Sequence, residues 1–355
     1  MRIIKNLLLL VILLMLTVWA IALVNVHLTS HQYTQLTPAQ KQQAKQYLQG
    51  KLTPIPEEWQ WDTFYPQPNV NLRTGVIHAD DAKGLVIVVP GFTGTIEMMM
   101  REIEQIHASG FTTASIEYRG QGASWRPLAH PEKGHVEDYR ELGADLAKFA
   151  ESVRLPGKPL FFFSVSKGAH ITMRMAAEQN VDVDAFALIV PMIKINSGDL
   201  DYGSLESIAN MLYAVGLGSM YAPGQKQWPG GEFVLGEATD CNANAELAQS
   251  QSALFAEREE LRTSGTTVRW LKETVASTKI LLDPEQVKMI TSPVKVFTAG
   301  IDTLVDTGAA RQFCDSLANC EEVHLANSRH CITRESFEVY DGMIQDSIEH
   351  FEANL

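Results

Sequence analysis

The stretch Phe161-Phe162-Phe163-Ser164-Val165-Ser166-Lys167-Gly168-Ala169-His170 decides the fold. Its first half is a short apolar run of the kind that forms a buried strand, and Gly168 to Gln179 carries helical periodicity, so Ser166 falls at a strand-to-helix junction. That is the setting of a nucleophile elbow. A sharp turn lifts the hydroxyl off the end of a sheet, and small neighbours, here Ser164 and Gly168, let the two backbones crowd together. The helix N-terminus that follows offers unpaired N–H groups to a developing negative charge. The competing reading is a serine that only caps its helix, a role for which serine is among the preferred residues.

Outward from this junction the chain alternates. Gly84 to Val89, Thr112 to Glu117, Pro159 to Val165 and Ala185 to Val190 read as buried strands. Ile96 to Ala108 and Val136 to Ser152 read as helices between them. Such alternation predicts a mostly parallel sheet covered on both faces. After Pro191 the pattern stops, and residues 196–285 show helix-like patches without a convincing strand, which reads as a cap inserted into a core formed by 69–195 and 286–355. Pro293 to Thr298 and Glu322 to Leu325 resume the strands, with Thr307 to Leu317 and Ser336 to Phe351 as the last helices.

A hydroxyl is a poor nucleophile until a base takes its proton, so a histidine must reach Ser166 and a carboxylate should hold that histidine. His330 follows a strand and precedes the final helix, and Asp302 lies in the loop after the preceding strand, with Asp306 as the fallback acid. The order Ser, Asp, His is the one such a scaffold uses. An acyl-transfer enzyme also needs two N–H groups aimed at the oxyanion. Phe92, in Pro90-Gly91-Phe92-Thr93-Gly94 after the first strong strand, and Lys167 are the candidates; a plain tight turn at the two glycines is the alternative.

The span from about Gly84 to Phe351 resembles bacterial lysophospholipase L2 and the related monoacylglycerol lipases of the α/β-hydrolase superfamily. The resemblance rests on Pro90-Gly91-Phe92, on Glu117-Tyr118-Arg119-Gly120-Gln121-Gly122-Ala123-Ser124, and on His135-Val136-Glu137-Asp138-Tyr139. Ser166 in its elbow, Pro191-Met192, Asp302 with Val305-Asp306, and Arg329-His330 with Glu335 complete it. It implies an α/β-hydrolase fold with a helical cap, hydrolysis of carboxylic esters of lysophospholipids or monoglycerides, and no metal or cofactor. Three positions depart from the family pattern: Ser164 for a glycine, Pro90 for a histidine, and Lys167 for an aliphatic residue or Met. The Lys167 ammonium is expected either to face the cap, where it would favour phosphate-bearing substrates, or to be solvated. Met211, Leu212, Tyr213, Met220 and Tyr221 are expected to pack the cap core or to line an acyl pocket.

Composition sets the remaining bounds. Hydrophobic residues are 45% and charged residues 20% of the 355, the balance of a globular protein. A formal charge of -13 with no basic run argues against nucleic acid as a partner. Leu7 to Val24 is apolar apart from Thr17 and is preceded by Arg2 and Lys5, so residues 1–28 read as a membrane anchor with a cytoplasmic N-terminus. In a bacterial cell this puts the catalytic part on the periplasmic side of the inner membrane. A cleaved signal peptide ending near Ala20-Ile21-Ala22 is the alternative. Residues 29–68 read as a linker with a short helix. Among four cysteines, Cys314 and Cys320 are the first candidates for a disulfide if the catalytic part is exported and the chain turns back between them; ordinary half-buried thiols are the alternative. Two rival functions stay open: a peptidase or small-ester hydrolase on the same fold, and a catalytically silent membrane-anchored binding protein.

Overall fold

The apolar runs assemble into one eight-stranded sheet. The computed structural model describes residues 2–28, 33, 35–228, 241, 244, 247 and 249–355; most of 29–34 in the linker and 229–240 in the cap insertion lie outside the described residues. The strands are β1 (Gln60–Gln67), β2 (Val70–Ile77), β3 (Leu85–Val89), β4 (Thr112–Ile116), β5 (Leu160–Val165), β6 (Ala185–Ile189), β7 (Val294–Ala299) and β8 (Cys320–Leu325). Their order is β1-β2-β4-β3-β5-β6-β7-β8, and all pairings from β4 onward are parallel.

Period-two alternation divides the core. Leu160 and Phe162 of β5 face one hydrophobic cluster, with α4 (Tyr139–Val153) and α5 (Lys167–Glu178); Phe161 and Phe163 face the other, with α3 (Met100–Ala108) and α11 (Phe337–Glu352). The three phenylalanines are fully buried, each worth roughly 1.5–3 kcal/mol of transfer free energy. Burial on both faces is why this strand reads as a continuous apolar run.

The sheet starts earlier than the sequence suggests. β1 and β2 form an antiparallel hairpin, and β1 lies in the stretch read as spacer. Pro66 interrupts its pattern. β1 is an edge strand whose register slips between Phe64 and Gln67, which is where a sheet tolerates proline.

The insertion after β6 is helical in its described residues: α6 (Tyr202–Ala214), α7 (Ser250–Glu257), α8 (Val268–Leu281) and the short α9 (Pro284–Val287). The linker helix α2 (Pro38–Leu48), opened by a capping box between Thr37 and Gln40, docks on α7. There Ala44 shares a small core with Ala253, Leu254 and Phe255. Met211 and Tyr213 of α6 neither pack a core nor line a pocket; they are exposed, correcting the expectation for them.

Cys314 and Cys320 are bonded, with Cα atoms 5.3 Å apart where the chain turns from α10 (Thr307–Asp315) into β8. A second bridge, Cys241–Cys331, was not legible from spacing, because its partners stand 90 residues apart. Helix α1 (Arg2–Leu28) contains the one segment among the described residues long and apolar enough to cross a membrane, Ile4–Ile21, and none of it is buried in the fold. The Trp19 indole N–H donates to the Val215 carbonyl at the end of α6 (2.5 Å).

Candidate active site

Ser166 sits on the turn between β5 and α5 with φ +48°, a region that costs a non-glycine residue strain of order 1–3 kcal/mol. Two bonds pin it: its N–H donates to the Ile189 carbonyl (2.8 Å), and its own carbonyl accepts from Met192 (3.1 Å). A Cβ on Gly168 would stand 2.5 Å from the Val89 carbonyl oxygen, so only glycine lets α5 start this close to β3. Ser164, in place of the family's usual glycine, keeps its hydroxyl satisfied on Thr172 (2.8 Å).

The Ser166 hydroxyl caps nothing. It lies 2.9 Å from His330 Nε2, and His330 Nδ1 lies 2.7 Å from Asp302 Oδ2. Carboxylate oxygens only accept, so the Nδ1 proton points at Asp302 and Nε2 is left to accept from the serine. Asp302 is itself fixed, since Oδ1 accepts from the N–H groups of Leu304 (2.8 Å) and Val305 (3.0 Å), and its side chain is 1% exposed. The three side chains therefore converge from the ends of β5, β7 and β8. The fallback acid Asp306 is engaged elsewhere: it caps α10 and pairs with Lys194 (2.7 Å).

The Phe92 and Lys167 N–H groups have no intramolecular acceptor among the described residues. The loop carrying Phe92 is braced by Gln121, one residue of the Glu117 to Ser124 block. Gln121 Nε2 donates to the carbonyls of Gly91 (2.6 Å) and Gly94 (2.8 Å), and its Oε1 accepts from the Thr93 N–H (2.9 Å), where Thr93 has φ +63°. Glu117 does similar work one layer further in, accepting from Ile96 N–H, Ala123 N–H and Arg73. Burial pushes its carboxyl up to about 7 while Arg73 pulls it down. Both lie in the Glu117 to Ser124 block that carries the family resemblance, but only three-dimensional contact shows which groups they hold.

Lys167 corrects the sequence expectation. Its side chain is 2% exposed and turned away from the cavity, so it neither faces substrate from the elbow nor reaches solvent.

Ser166, His330 and Phe92 open on a cavity of about 830 Å³. Its wall draws on both sheet faces, with Met99 and Tyr340 from one and Met192, Trp270 and Leu271 from the other. The segment Gly50–Pro54 that follows α2 closes one side. Among the described residues, no group of three or more His, Cys, Asp or Glu could hold a metal ion.

Residues 80–336 match the family model described as serine aminopeptidase, S33. The chain belongs to that family. Two relatives are a probable lysophospholipase L2 of Haemophilus influenzae, 23% identical over 324 residues, covering 86% of this chain and 96% of that protein, and lysophospholipase L2 of Escherichia coli, 23% identical over 279 residues, covering 76% and 78%. Among solved structures, a soluble variant of monoglyceride lipase from Saccharomyces cerevisiae superposes with a TM-score of 0.65 at 17% identity, covering 85% of this chain and 96% of that one. A thermostable carboxyl esterase from Bacillus coagulans gives 0.65 at 15% identity, covering 84% and 99%. The fold is that of the α/β-hydrolases, as the sequence resemblance implied.

Proposed function

We propose that this S33-family hydrolase cleaves carboxylic esters of single-chain lipids, lysophospholipids or monoacylglycerols, with Ser166 as nucleophile, His330 as base and Asp302 as its orienting acid. The observation that carries the reading is the unbroken relay Ser166–His330–Asp302, with links of 2.9 and 2.7 Å, at the wall of a largely apolar cavity.

In this mechanism His330 Nε2 takes the hydroxyl proton as Ser166 Oγ bonds to the ester carbonyl carbon. The Phe92 and Lys167 N–H groups hold the oxyanion, and Asp302 stabilises the imidazolium. Collapse breaks the ester C–O bond, and His330 returns its proton to the departing alcohol. A water then attacks the acyl-enzyme, giving its proton to His330, and the carboxylic acid leaves as Ser166 regains its proton.

The names of the two bacterial relatives support the lipid substrate, and so does the position of the site. Helix α1 supplies an apolar anchor that meets the cap at Trp19, and Met211 and Val215, four residues apart, are exposed at that end of α6. Two disulfides in the catalytic part favour an oxidising compartment, hence the periplasmic side of a bacterial inner membrane. The test is a panel of lysophospholipids, monoacylglycerols, p-nitrophenyl esters of increasing chain length and aminoacyl-anilides, run against wild type and Ser166→Ala. The expected result is Ser166-dependent turnover of the single-chain lipids. Turnover confined to the anilides would make the protein a peptidase, and labelling by a fluorophosphonate no faster than in Ser166→Ala would make it a binding protein.

A further inference from the structure

Directly behind the nucleophile, the Lys167 ammonium occupies an aromatic cage. Its Nζ stands 4.6 Å from the centre of the Tyr118 ring, 5.4 Å from Phe92 and 5.9 Å from Tyr139. The rings come from three places: the segment just after β4, the loop after β3, and the first residue of α4. The Phe92 ring also has neighbours on its other sides. It lies 5.6 Å from the Trp270 ring in the cap and rests over Gly134, where a Cβ would come within 2.5 Å of it.

Beside Ser166, the Phe92 and Lys167 N–H groups have no acceptor among the described residues, and the side chains of these same residues grip each other. A ring face attracts an ammonium electrostatically and a neutral amine far less. We propose that Lys167 is a positioning residue, whose caged ammonium ties the Phe92 loop to the elbow and thereby fixes the separation of the two N–H donors. The proposal rests on the serine-hydrolase reading above and adds to it a residue that touches no substrate.

The cage makes this clamp sensitive to pH. Burial pulls the Lys167 ammonium down to about 7, with no carboxylate opposing the shift. The titratable groups facing it are His135 ahead of α4, His170 on α5, the Tyr118 and Tyr139 phenols, and Glu117 beside Tyr118, whose carboxylate is held by Arg73 and two backbone N–H groups. Burial lowers both histidines to about 3, so they stay neutral through the working range. The cage therefore holds a cation on the acid side of neutrality and loses it as the pH rises through about 7.

The deciding experiment measures kcat and KM for p-nitrophenyl butyrate from pH 5 to 9 in wild type and Lys167→Met, with competent sites counted by fluorophosphonate titration. Wild type should show a falling alkaline limb. The variant should lose that limb and show kcat about tenfold lower at pH 6.5, less than the ~10²–10³ that removal of an oxyanion donor costs, with KM within about twofold. Phe92→Leu keeps the backbone N–H and removes the ring, so it should abolish the same limb, and the double variant should be no worse than either single one. If Lys167→Met does not fold, Phe92→Leu carries the test. Absence of labelling in wild type refutes the parent reading and this one with it. Labelling in both proteins with superimposable kcat profiles refutes the role of the lysine alone.

Discussion

Replacing Gln121 with methionine keeps the side-chain length and removes every hydrogen bond it makes to the oxyanion loop. Three are lost: to the carbonyls of Gly91 and Gly94 at 2.6 and 2.8 Å, and from the Thr93 N–H at 2.9 Å. Each is worth about 0.5–1.5 kcal/mol net, and Gln121 is 1% exposed, so water cannot readily take its place. The expected destabilisation is about 3 kcal/mol. The catalytic effect follows from geometry, because an N–H stabilises the oxyanion only when aimed to within a few tenths of an ångström. Losing one donor outright costs ~10²–10³ in kcat, and a loop that only wanders should cost about 10–100-fold. Urea unfolding with unchanged m-value reports the first quantity. Turnover of p-nitrophenyl butyrate per fluorophosphonate-titrated site reports the second. A variant that loses 2 kcal/mol or more of stability yet keeps kcat within twofold refutes the idea that this brace sets the position of Phe92.

Two further outcomes follow. Asp302→Asn leaves the shape of the site but presents an amide to His330 Nδ1, favouring the wrong imidazole tautomer, and kcat should fall by about 10⁴ with KM little changed; a loss below tenfold in steady-state kinetics would remove Asp302 from the mechanism. Glu102, fully buried on α3, is pushed by burial from 4.5 to about 7, with the Tyr340 phenol opposing the shift. Because the native state then holds a proton that the unfolded chain releases, stability should drop as the pH rises from about 4.5 to about 7 and stay level above. Glu102→Gln should therefore gain up to roughly 3 kcal/mol over wild type at pH 8 and little at pH 5 by urea unfolding, and an equal gain at both would contradict this account.

What the sequence made legible is what covalent adjacency and periodicity control. The β5–α5 junction is continuous in the chain, so Ser166 could be placed on it directly, and His330 and Asp302 follow because loops at the ends of parallel strands meet on one edge of the sheet. Interactions between distant segments left weaker traces. The edge strand β1 is mostly exposed and holds Pro66 at a register slip, so neither alternation nor composition marked it. Gln121 stands in the sequence only as one residue of the Glu117 to Ser124 block, and its role stays hidden there because its three bonds go to a loop about thirty positions earlier. Lys167 was misplaced for a related reason: position in an elbow fixes where a backbone N–H points, whereas the direction of a four-carbon side chain depends on rings supplied by three other segments.

The central claim is that one serine is activated by one imidazole. Intact-mass measurement after brief exposure to a fluorophosphonate, followed by peptide mapping, tests it most directly. The account predicts a single stoichiometric adduct on the peptide containing Ser166, abolished in Ser166→Ala and slowed by several orders of magnitude in His330→Ala. An adduct on another residue, or equally fast labelling of Ser166 once His330 is gone, would contradict it.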